Sequence, residues 1–327
     1  MNIGFNKVHH TDFLSNDLPD KCANLIIADP PYFQIKGAFD FVWEDFNAYL
    51  KDVRKWAQEC KRLLADNGSL FWYGHAKNIA YSQVILDEFF NLENVLVWEK
   101  NECHTKAQDF SACRCFAPVT ERILFYSNFS QAENDWKNNN ATVYYEGFEP
   151  TRLYIEQQIK KIKVKKAAAH LGISERAIRH WTSKSQWHIP SDENVKRLQQ
   201  LGIFKEFEKV RKEFEKVRKE FEASYRRWFY NYNKFTDVLK FSQESHITKQ
   251  YDHDTKKPET LTRALIQTCS RPNDLVLIPF AGSGTECAMA AKEGRRFVGF
   301  DIEQKYVDMS NKRCKVHFDS PSLFSVA

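Results

Sequence analysis

Four consecutive residues, Asp29 to Tyr32 (DPPY), follow an apolar run and carry groups that can hold a flat polar ring. The carboxylate of Asp29 and the backbone carbonyl of Pro30 can each accept one hydrogen of an exocyclic amine, which turns the nitrogen lone pair toward an electrophile. Pro31 lacks an N–H and stiffens the loop, and Tyr32 offers a face for base stacking. These residue types suit methylation of an amine. An ordinary turn at the end of a strand is the alternative.

A second cluster lies near the other end of the chain, where the segment AGSGTE (residues 281–286) follows another apolar run. Gly282 and Gly284 allow the backbone to approach a ligand at the start of a helix, and Asp301 can bond ribose hydroxyls. The pattern indicates a nucleotide-like cofactor. A dinucleotide dehydrogenase would have a third glycine where Cys287 stands, which disfavours hydride transfer.

Short apolar strands alternate with helices on both sides of the middle of the chain. Strands are predicted at 24–28, 69–74, 94–98, 122–127, 275–280 and 295–300, and helices at 43–64, 260–269 and 284–292, with another helix after the last strand. This alternation predicts an α/β layered sheet that is mostly parallel. Because ligands bind at the carboxyl ends of such strands, the two clusters are predicted to lie side by side over one sheet.

The middle of the chain is strongly basic. Residues 151–230 contain 20 Lys and Arg against 10 Asp and Glu, whereas the whole chain has a formal net charge of +5. A basic region between mildly acidic ends indicates an anion-binding module, although solvated helices are often basic too.

Residues 163–183 have the pattern of a helix-turn-helix. A small-residue helix is followed by a turn at 171–173, and Ser174 can cap the second helix, which is the candidate recognition helix. The predicted DNA contacts are Lys165, Lys166, Ser174, Arg176, Arg179, His180 and Lys184. An ordinary helical hairpin is the alternative.

A heptad repeat follows within a helix predicted over residues 203–228. The sequence FEKVRKE occurs at 207–213 and again at 214–220. Its period puts apolar residues on one face, at Phe207, Val210, Phe214, Val217 and Phe221. We favour a helix packed against its own domain over a dimer seam, because two heptads are too short to be stable alone.

The eight cysteines show no regular spacing, as expected for reduced thiols of an intracellular protein. Cys103, His104, Cys113 and Cys115 lie close together, but they lack the CxxC-type spacing of zinc sites, so no metal is predicted. The N-terminus has no apolar signal-peptide region, and no apolar stretch approaches about 18 residues. A cytoplasmic location without membrane association is therefore expected.

Together, DPPY and the F-x-G-x-G of residues 280–284 resemble the motifs of the DNA amino-methyltransferases, over nearly the whole chain. Their order, with the catalytic motif first, resembles the β class. HTDFL at 10–14, TERILFY at 120–126 and HDTKKPETL at 253–261 resemble further segments of that family.

The resemblance implies a Rossmann-like, S-adenosylmethionine-dependent methyltransferase fold with circularly permuted motif order. The catalytic half would cover residues 1–133 and the cofactor-binding half residues 241–327. A mainly helical target-recognition domain would be inserted at 134–240.

The resemblance further implies that S-adenosylmethionine donates a methyl group to the N6 amine of an adenine flipped out of duplex DNA. The implied catalytic residues are Asp29, Pro30, Pro31 and Tyr32. The implied cofactor-binding residues are Asp12, Asp29, Lys257, Pro279, Phe280, Ala281, Gly282, Ser283, Gly284, Thr285 and Asp301. Members usually have an acid where this chain has Ile278, so the methionine ammonium would fall to Asp29 or to backbone carbonyls.

Cytosine N4 is the first alternative target, since N4 enzymes more often begin the catalytic motif with Ser. A DNA-binding regulator on an inactive methyltransferase fold is the second, and the helix-turn-helix pattern disfavours an RNA methyltransferase. Cytosine-C5 transfer would need a Pro-Cys dipeptide, which the sequence lacks. The resemblance implies double-stranded DNA as partner and a bacterial or phage-encoded, nucleoid-associated protein. It leaves open a homodimer and a cognate restriction endonuclease on a separate chain.

Overall fold

The computed structural model describes residues 3–35, 38–100, 116, 119–128, 146–184, 187–221, 228–242 and 256–318. The chain divides into two compact units. The first, which we call the sheet unit, comprises Met1–Asn128 and Arg227–Ala327. The second, the helical unit, comprises Phe129–Arg226.

The sheet unit contains one mixed sheet. Its strands are β1 (Lys7–His10), β2 (Ala23–Ala28), β3 (Leu64–Gly74), β4 (Phe90–Glu99), β5 (Thr120–Asn128), β6 (Val238–Lys240), β7 (Leu275–Ile278) and β8 (Arg296–Asp301). Their order across the sheet is β1-β8-β7-β2-β3-β5-β4-β6. Only the two pairings of β5, with β3 and with β4, are antiparallel within this described sheet. The predicted α/β fold with a mostly parallel sheet is thus confirmed.

The described helices follow in chain order. They are α1 (Phe46–Leu63), α2 (Ile79–Leu86), α3 (Glu149–Ile162), α4 (Val164–Leu171), α5 (Glu175–Thr182), α6 (Asp192–Gln199), α7 (Phe207–Glu220), α8 (Glu259–Cys269), α9 (Thr285–Lys292) and α10 (Gln304–Phe318). Within the described ranges, no helix has both the length and the apolar composition that a membrane span requires.

Both faces of the sheet are covered, which explains the continuous apolar sequence of β2. Leu25 and Ile27 belong to a core shared with α8 and α9, whereas Ile26 and Ala28 belong to a second core shared with α1. Successive strand residues point to opposite faces, so a strand covered by helices on both sides needs apolar residues at every position.

Helix α1 is shorter at its start than the predicted span of 43–64. Asp45 is the N-cap, and its carboxylate accepts the N–H of Ala48 at 2.7 Å. Trp43 therefore precedes the helix, although its indole N–H donates to Asp52 of α1 at 2.9 Å.

Strand β3 begins earlier than the strand predicted at 69–74. Ala23 pairs with Leu64, and the next residue pair is Leu25 with Ser69. Residues 65–68 are therefore an irregularity within the strand, and the predicted boundary lay too late in the sequence.

Register brings the two clusters of the sequence to one edge of the sheet. Strands β2 and β7 are parallel neighbours, with Ile26 beside Leu277, and β7 pairs in parallel with β8. The DPPY segment leaves the carboxyl end of β2, and the glycine turn leaves the carboxyl end of β7. The predicted juxtaposition of the two segments is thus present in the fold.

The helical unit has its own apolar core. Ile155, Leu171, Ile178 and Trp181 are buried in it together with residues of the heptad repeat. The repeat residues in this core are Phe207, Phe214 and Phe221, with Val217 partly buried against it. This face of α7 packs within its own unit, which is the favoured interpretation of the heptads.

The helical unit ends earlier in the chain than the predicted insertion. The predicted boundary at residue 240 includes β6, which pairs with β4 at the edge of the sheet through Leu239 and Trp98. A strand that short carries too little periodicity to be assigned from sequence, and only its pairing places it in the sheet unit.

Candidate active site

Lys257 connects the DPPY segment to the part of the chain that precedes the glycine turn. Its side chain is 4% exposed, and its ammonium lies 2.7 Å from Asp29 Oδ2 and 3.5 Å from Glu121 Oε2. Burial lowers the pKa of Lys257, but the charges of Asp29 and Glu121 outweigh burial and raise this pKa above its ordinary value. The lysine is therefore a permanent cation between two carboxylates.

Tyr32 completes the surroundings of Asp29. Its hydroxyl donates to Asp29 Oδ1, and it accepts a hydrogen bond from Lys257 Nζ at 3.1 Å. Burial, followed by the charge of Asp29, raises the pKa of Tyr32 well above its usual range. Tyr32 remains a neutral phenol that holds one oxygen of the carboxylate, while Lys257 holds the other.

The loop after DPPY is held in a strained backbone conformation. Phe33 and Gln34 have φ of 51° and 53°, in the left-handed region that L-residues rarely adopt. The Asp40 carboxylate accepts the N–H of Tyr32 at 2.6 Å. The amide of Asn78 donates to the carbonyls of Tyr32 and Phe33 at 2.6 and 3.1 Å. Such strain persists where neighbouring groups fix the chain, as these hydrogen bonds do here. The preceding residues Pro30 and Pro31 are buried and half-buried, respectively.

The glycine turn has the conformation that its sequence requires. Gly282 and Gly284 have φ of 48° and 73°. A Cβ on Gly284 would lie 2.6 to 2.7 Å from atoms of Ser310, so this position needs glycine for both its φ and its space. The hydroxyl of Ser310 donates to the carbonyl of Gly282 at 2.9 Å, which fixes the turn against α10.

Asp301 and Asp12 lie at the same edge. The Asp301 carboxylate accepts the N–H of Gly282 at 2.8 Å and the N–H of Glu303 at 2.9 Å. Burial raises the pKa of Asp301. Asp12 is exposed, follows the end of β1 beside β8, and accepts the N–H of Leu14 at 2.9 Å.

The remaining predicted cofactor residues surround the turn. Pro279 and Ala281 are buried, and Ala281 donates its N–H to the carbonyl of Phe300 at 2.8 Å. Phe280 packs edge-on against Trp56, with 5.0 Å between ring centroids. Ser283 and Thr285 are buried, and their hydroxyl oxygens lie 3.1 Å apart.

Three charged residues near this edge were not among the predicted site residues. Glu121 of β5 accepts from Lys100 at 2.5 Å and pairs with Lys257. Burial tends to raise the pKa of Glu121, and the charges of Lys257 and Lys100 lower it below its ordinary value. Arg313 of α10 donates to the carbonyl of Ser283 at 3.1 Å.

Glu286 is the third charged residue that was not among the predicted site residues. It is 5% exposed and lies in the first turn of α9. An acid in the apolar segment ECAMAA was the sequence feature that could have identified it. Ile278 is fully buried in the core, so no polar group enters the site from that position.

The predicted DNA-binding residues lie in the helical unit. Lys165, Lys166, Arg176, Arg179 and Lys184 are exposed. Ser174 caps α5 by accepting the N–H of Ala177 at 3.2 Å, so its hydroxyl has a structural use. Arg179 pairs with Glu175 at 3.3 Å, and half-buried His180 lies beside His188. The exposed basic groups remain candidates for DNA contact.

Among the described residues, no three His, Cys, Asp or Glu side chains are grouped as metal ligands. Two sets of residues singled out in the sequence lie outside the described residues. They are Cys103, His104, Cys113 and Cys115, and residues 253–255 of the segment 253–261.

Three comparisons relate the chain to known proteins. It is 26% identical over 321 residues to the type II methyltransferase M1.MboII of Moraxella bovis, covering 94% of this chain and 96% of that protein. TTHA0409 of Thermus thermophilus, described as a DNA modification methylase and solved with S-adenosyl-L-methionine, has 18% identity, a TM-score of 0.50 and 96% coverage of both chains. The cytosine-N4-specific PvuII DNA methyltransferase has 15% identity and a TM-score of 0.51, over 95% of this chain and 90% of that one.

These structural likenesses establish the fold. The family model described as DNA methylase, N6_N4_Mtase, matches residues 23–312, which include both clusters at the sheet edge. The chain belongs to the N6_N4_Mtase family and is an S-adenosylmethionine-dependent DNA amino-methyltransferase.

Proposed function

We propose that the protein methylates the N6 amine of an adenine at a specific site in duplex DNA. The observation that carries this proposal is the position of Asp29, whose carboxylate lies at the same sheet edge as the glycine turn and Asp301. One edge thus offers an acceptor for an amine and a binding turn for a nucleoside-like cofactor.

The residues of this edge fit S-adenosylmethionine. Gly282 and Gly284 open the backbone at the start of α9, and the carboxylate of Asp301 lies one strand away, where it can accept from ribose hydroxyls. Phe280 belongs to the turn segment, and exposed Asp12 follows the end of β1, the strand beside β8. We place the adenine ring of the cofactor near these two residues. When bound, the cofactor supplies an electrophilic methyl group on a sulfonium.

Asp29 and Pro30 orient the target amine in our proposal. A carboxylate has about four lone-pair sites, so Asp29 can accept an amine hydrogen while it also accepts from Tyr32 and Lys257. The carbonyl of Pro30 accepts the second hydrogen. Lys257 compensates the charge of Asp29, and the fixed loop holds both acceptors in place, so catalysis relies on orientation and electrostatics.

The choice of adenine rests on the catalytic motif, which begins with Asp29 where cytosine-N4 enzymes more often have Ser. The fold does not distinguish the two targets, since the cytosine-N4-specific PvuII enzyme shares it. Cytosine N4 is the alternative target. We also propose the β-class order, because DPPY precedes the helical unit in the chain and F-x-G-x-G follows it.

We propose that the helical unit recognises the DNA target through the exposed basic residues of α4 and α5, with Arg176 and Arg179 on the recognition helix. A homodimer and a cognate restriction endonuclease belong to the same proposal. DNA as substrate would place its action at the nucleoid.

The proposal is tested by incubating the purified chain with duplex DNA and S-adenosylmethionine carrying a labelled methyl group, followed by digestion to nucleosides and identification of the product. We expect N6-methyladenine. The matched variant Asp29→Asn keeps the shape of the side chain but removes its charge, and it should lose more than about 100-fold in rate, as a misplaced positioning group does.

N4-methylcytosine as product would establish the alternative target. Label on the C5 carbon of cytosine would contradict the mechanism. A chain that binds DNA and cofactor but transfers no methyl group would support a DNA-binding regulator on an inactive methyltransferase fold.

A further inference from the structure

Glu286 is a buried acid whose hydrogen bonding is incomplete. It is 5% exposed, and its Oε1 atom has no hydrogen-bond partner among the described residues. A buried carboxylate oxygen without a partner costs free energy, so its retention calls for a group that the described residues do not supply.

The position of Glu286 restricts what that group can be. Glu286 follows the glycine turn directly, in the first turn of α9, and the charge of Asp29 acts on it unfavourably. Lys257 and Arg313 act on it favourably. The acid therefore lies next to the glycine turn and within the electrostatic reach of Asp29.

The cations that act on Glu286 are already paired with other acids. Among the described residues, Lys257 pairs with Asp29 and Glu121, and Arg313 pairs with Glu259. Glu286 itself makes no ion pair within the described part of the chain. Because a buried charge without a partner is costly, this position favours a positively charged group of a ligand.

S-adenosylmethionine carries two positive groups, an ammonium and a sulfonium. We infer that Glu286 provides the counter-charge for a positive group of this cofactor and releases a proton when the cofactor binds, an inference that rests on the proposed function. Glu286 is thus a cofactor-binding residue in the helix after the glycine turn.

The protonation of Glu286 before binding supports this role. Burial, followed by the charge of Asp29, raises the pKa of Glu286 to about 7. At neutral pH the acid is therefore about half protonated without ligand. A cation beside it would lower this pKa, so binding would expel the proton.

The other groups that face Glu286 do not release protons near neutral pH. Tyr73 of β3 and Cys287 of α9 have pKa values raised well above their usual ranges, chiefly by burial. Lys257 has a raised pKa, again because Asp29 and Glu121 outweigh burial. His75, which interacts with Glu121 and Lys100, and His317, which interacts with Glu259 and Arg313, have pKa values lowered from the ordinary 6.5, chiefly by burial, so both are mostly neutral at pH 7. Among the described residues, a proton released at pH 7 is therefore assigned to Glu286.

The test is isothermal titration calorimetry of the full chain with S-adenosylmethionine, without DNA, at pH 6, 7 and 8. At pH 7 the titration is repeated in two buffers of different ionisation enthalpy, which measures the protons released. We expect affinity to be roughly tenfold higher at pH 8 than at pH 6 and about half a proton to be released at pH 7. Affinity independent of pH, with no proton exchange, would overturn the inference.

The isosteric variant Glu286→Gln should bind S-adenosylmethionine at least about tenfold more weakly at pH 8 and should show no pH dependence in this range. The control is Glu293→Gln at the end of the same helix, where the acid already accepts from Gln267 at 2.7 Å. This control should retain the wild-type pH dependence. Wild-type affinity in Glu286→Gln would refute the inference. If this variant fails to fold, the number of protons that the wild-type chain releases on binding at pH 7 decides the question.

S-adenosylhomocysteine identifies which positive group is involved, because it keeps the ammonium and lacks the sulfonium. Proton release by both compounds assigns Glu286 to the ammonium, and release by S-adenosylmethionine alone assigns it to the sulfonium. Failure of the inference is separable from failure of the proposed function. A wild-type chain that methylates adenine while Glu286→Gln binds normally contradicts the inference alone, whereas a wild-type chain that binds no S-adenosylmethionine contradicts both.

Discussion

The ammonium of Lys257 lies 2.7 Å from Asp29 Oδ2, and both side chains are largely shielded from solvent. This ion pair joins the segment after β2 to the segment before α8. The lysine also touches the Tyr32 hydroxyl, 225 residues away in sequence. The carboxylate of Asp29, which we propose as catalytic, is thereby held at the sheet edge by a residue from the far half of the chain.

Replacing Lys257 by methionine should destabilise the protein strongly. The side chain keeps its length, but Asp29 and Glu121 lose their shared cation, and breaking a buried ion pair costs about 3 to 5 kcal/mol. Urea denaturation measures this loss as a fall in the free energy of unfolding. The control Lys51→Met, at a solvent-exposed position of α1, should change it by less than about 0.5 kcal/mol.

A second substitution tests the cause of that loss. Adding Asp29→Asn to Lys257→Met removes one of the carboxylates left without a cation, so the double variant should recover part of the stability. If the two losses simply add, the ion pair is not what the lysine contributes.

Replacing Gly284 by alanine should disrupt the cofactor turn more than the same change at Gly294. Both glycines have a positive φ, 73° and 71°, so alanine costs about 1 to 2 kcal/mol at either position. Only at Gly284 does the new Cβ also meet Ser310, at 2.6 to 2.7 Å, whereas nothing lies within 4 Å at Gly294. We expect an extra loss of about 1 to 3 kcal/mol at Gly284 from this overlap.

Thermal unfolding and cofactor titration should separate these two variants. Gly294→Ala should retain cofactor affinity, and Gly284→Ala should lose most of it. Equal stability and equal affinity in both variants would mean that the turn tolerates a side chain beside Ser310.

The stability contribution of Glu286 should depend on pH with a definite sign. Its pKa is raised to about 7 in the folded chain, above that of an ordinary glutamate, so folding takes up a proton between about pH 4.5 and pH 7. Stability is therefore lost as pH rises through this window. Removal of the ionisable group by Glu286→Gln should abolish that loss, on the order of 2 to 3 kcal/mol.

Urea denaturation at pH 5 and pH 8, without cofactor, checks this sign. The glutamine variant should gain stability relative to wild type between the two values. If the variant instead lost stability relative to wild type as pH rises, Glu286 would be ionised throughout this range and already compensated in the folded chain.

Arg176→Ala and Arg179→Ala should each weaken DNA binding without changing cofactor affinity. Both side chains are exposed on α5, and a phosphate contact contributes through counterion release, so each change should reduce the slope of log affinity against log salt by about one. Fluorescence anisotropy with duplex DNA at several salt concentrations measures this slope. Unchanged DNA affinity in both variants would remove α5 as recognition helix, and Lys51→Ala in the sheet unit serves as control.

The local sequence was enough to predict most elements of the sheet unit and several details of its site. Continuous apolar runs predicted β2 and β7, because a strand covered on both faces excludes polar side chains. The two glycines of AGSGTE predicted an open turn at the start of a helix, and Gly282 and Gly284 lie in such a turn with positive φ. The boundaries of these elements were predicted less well. Helix α1 begins after its N-cap Asp45 and not at residue 43, and β3 begins at Leu64, before its irregular pairing with β2.

The general rule for parallel sheets predicted that the DPPY segment and the glycine turn share one edge, and the pairing of β2 with β7 agrees with it. Only the tertiary structure decided which side chains meet there, such as Asp29 and Lys257, because no local pattern encodes a contact between distant segments. Glu286 is marked in the sequence only as an acid in the apolar segment ECAMAA. Its raised pKa arises from burial beside Asp29, and burial is a property of the packed chain and not of the residue type.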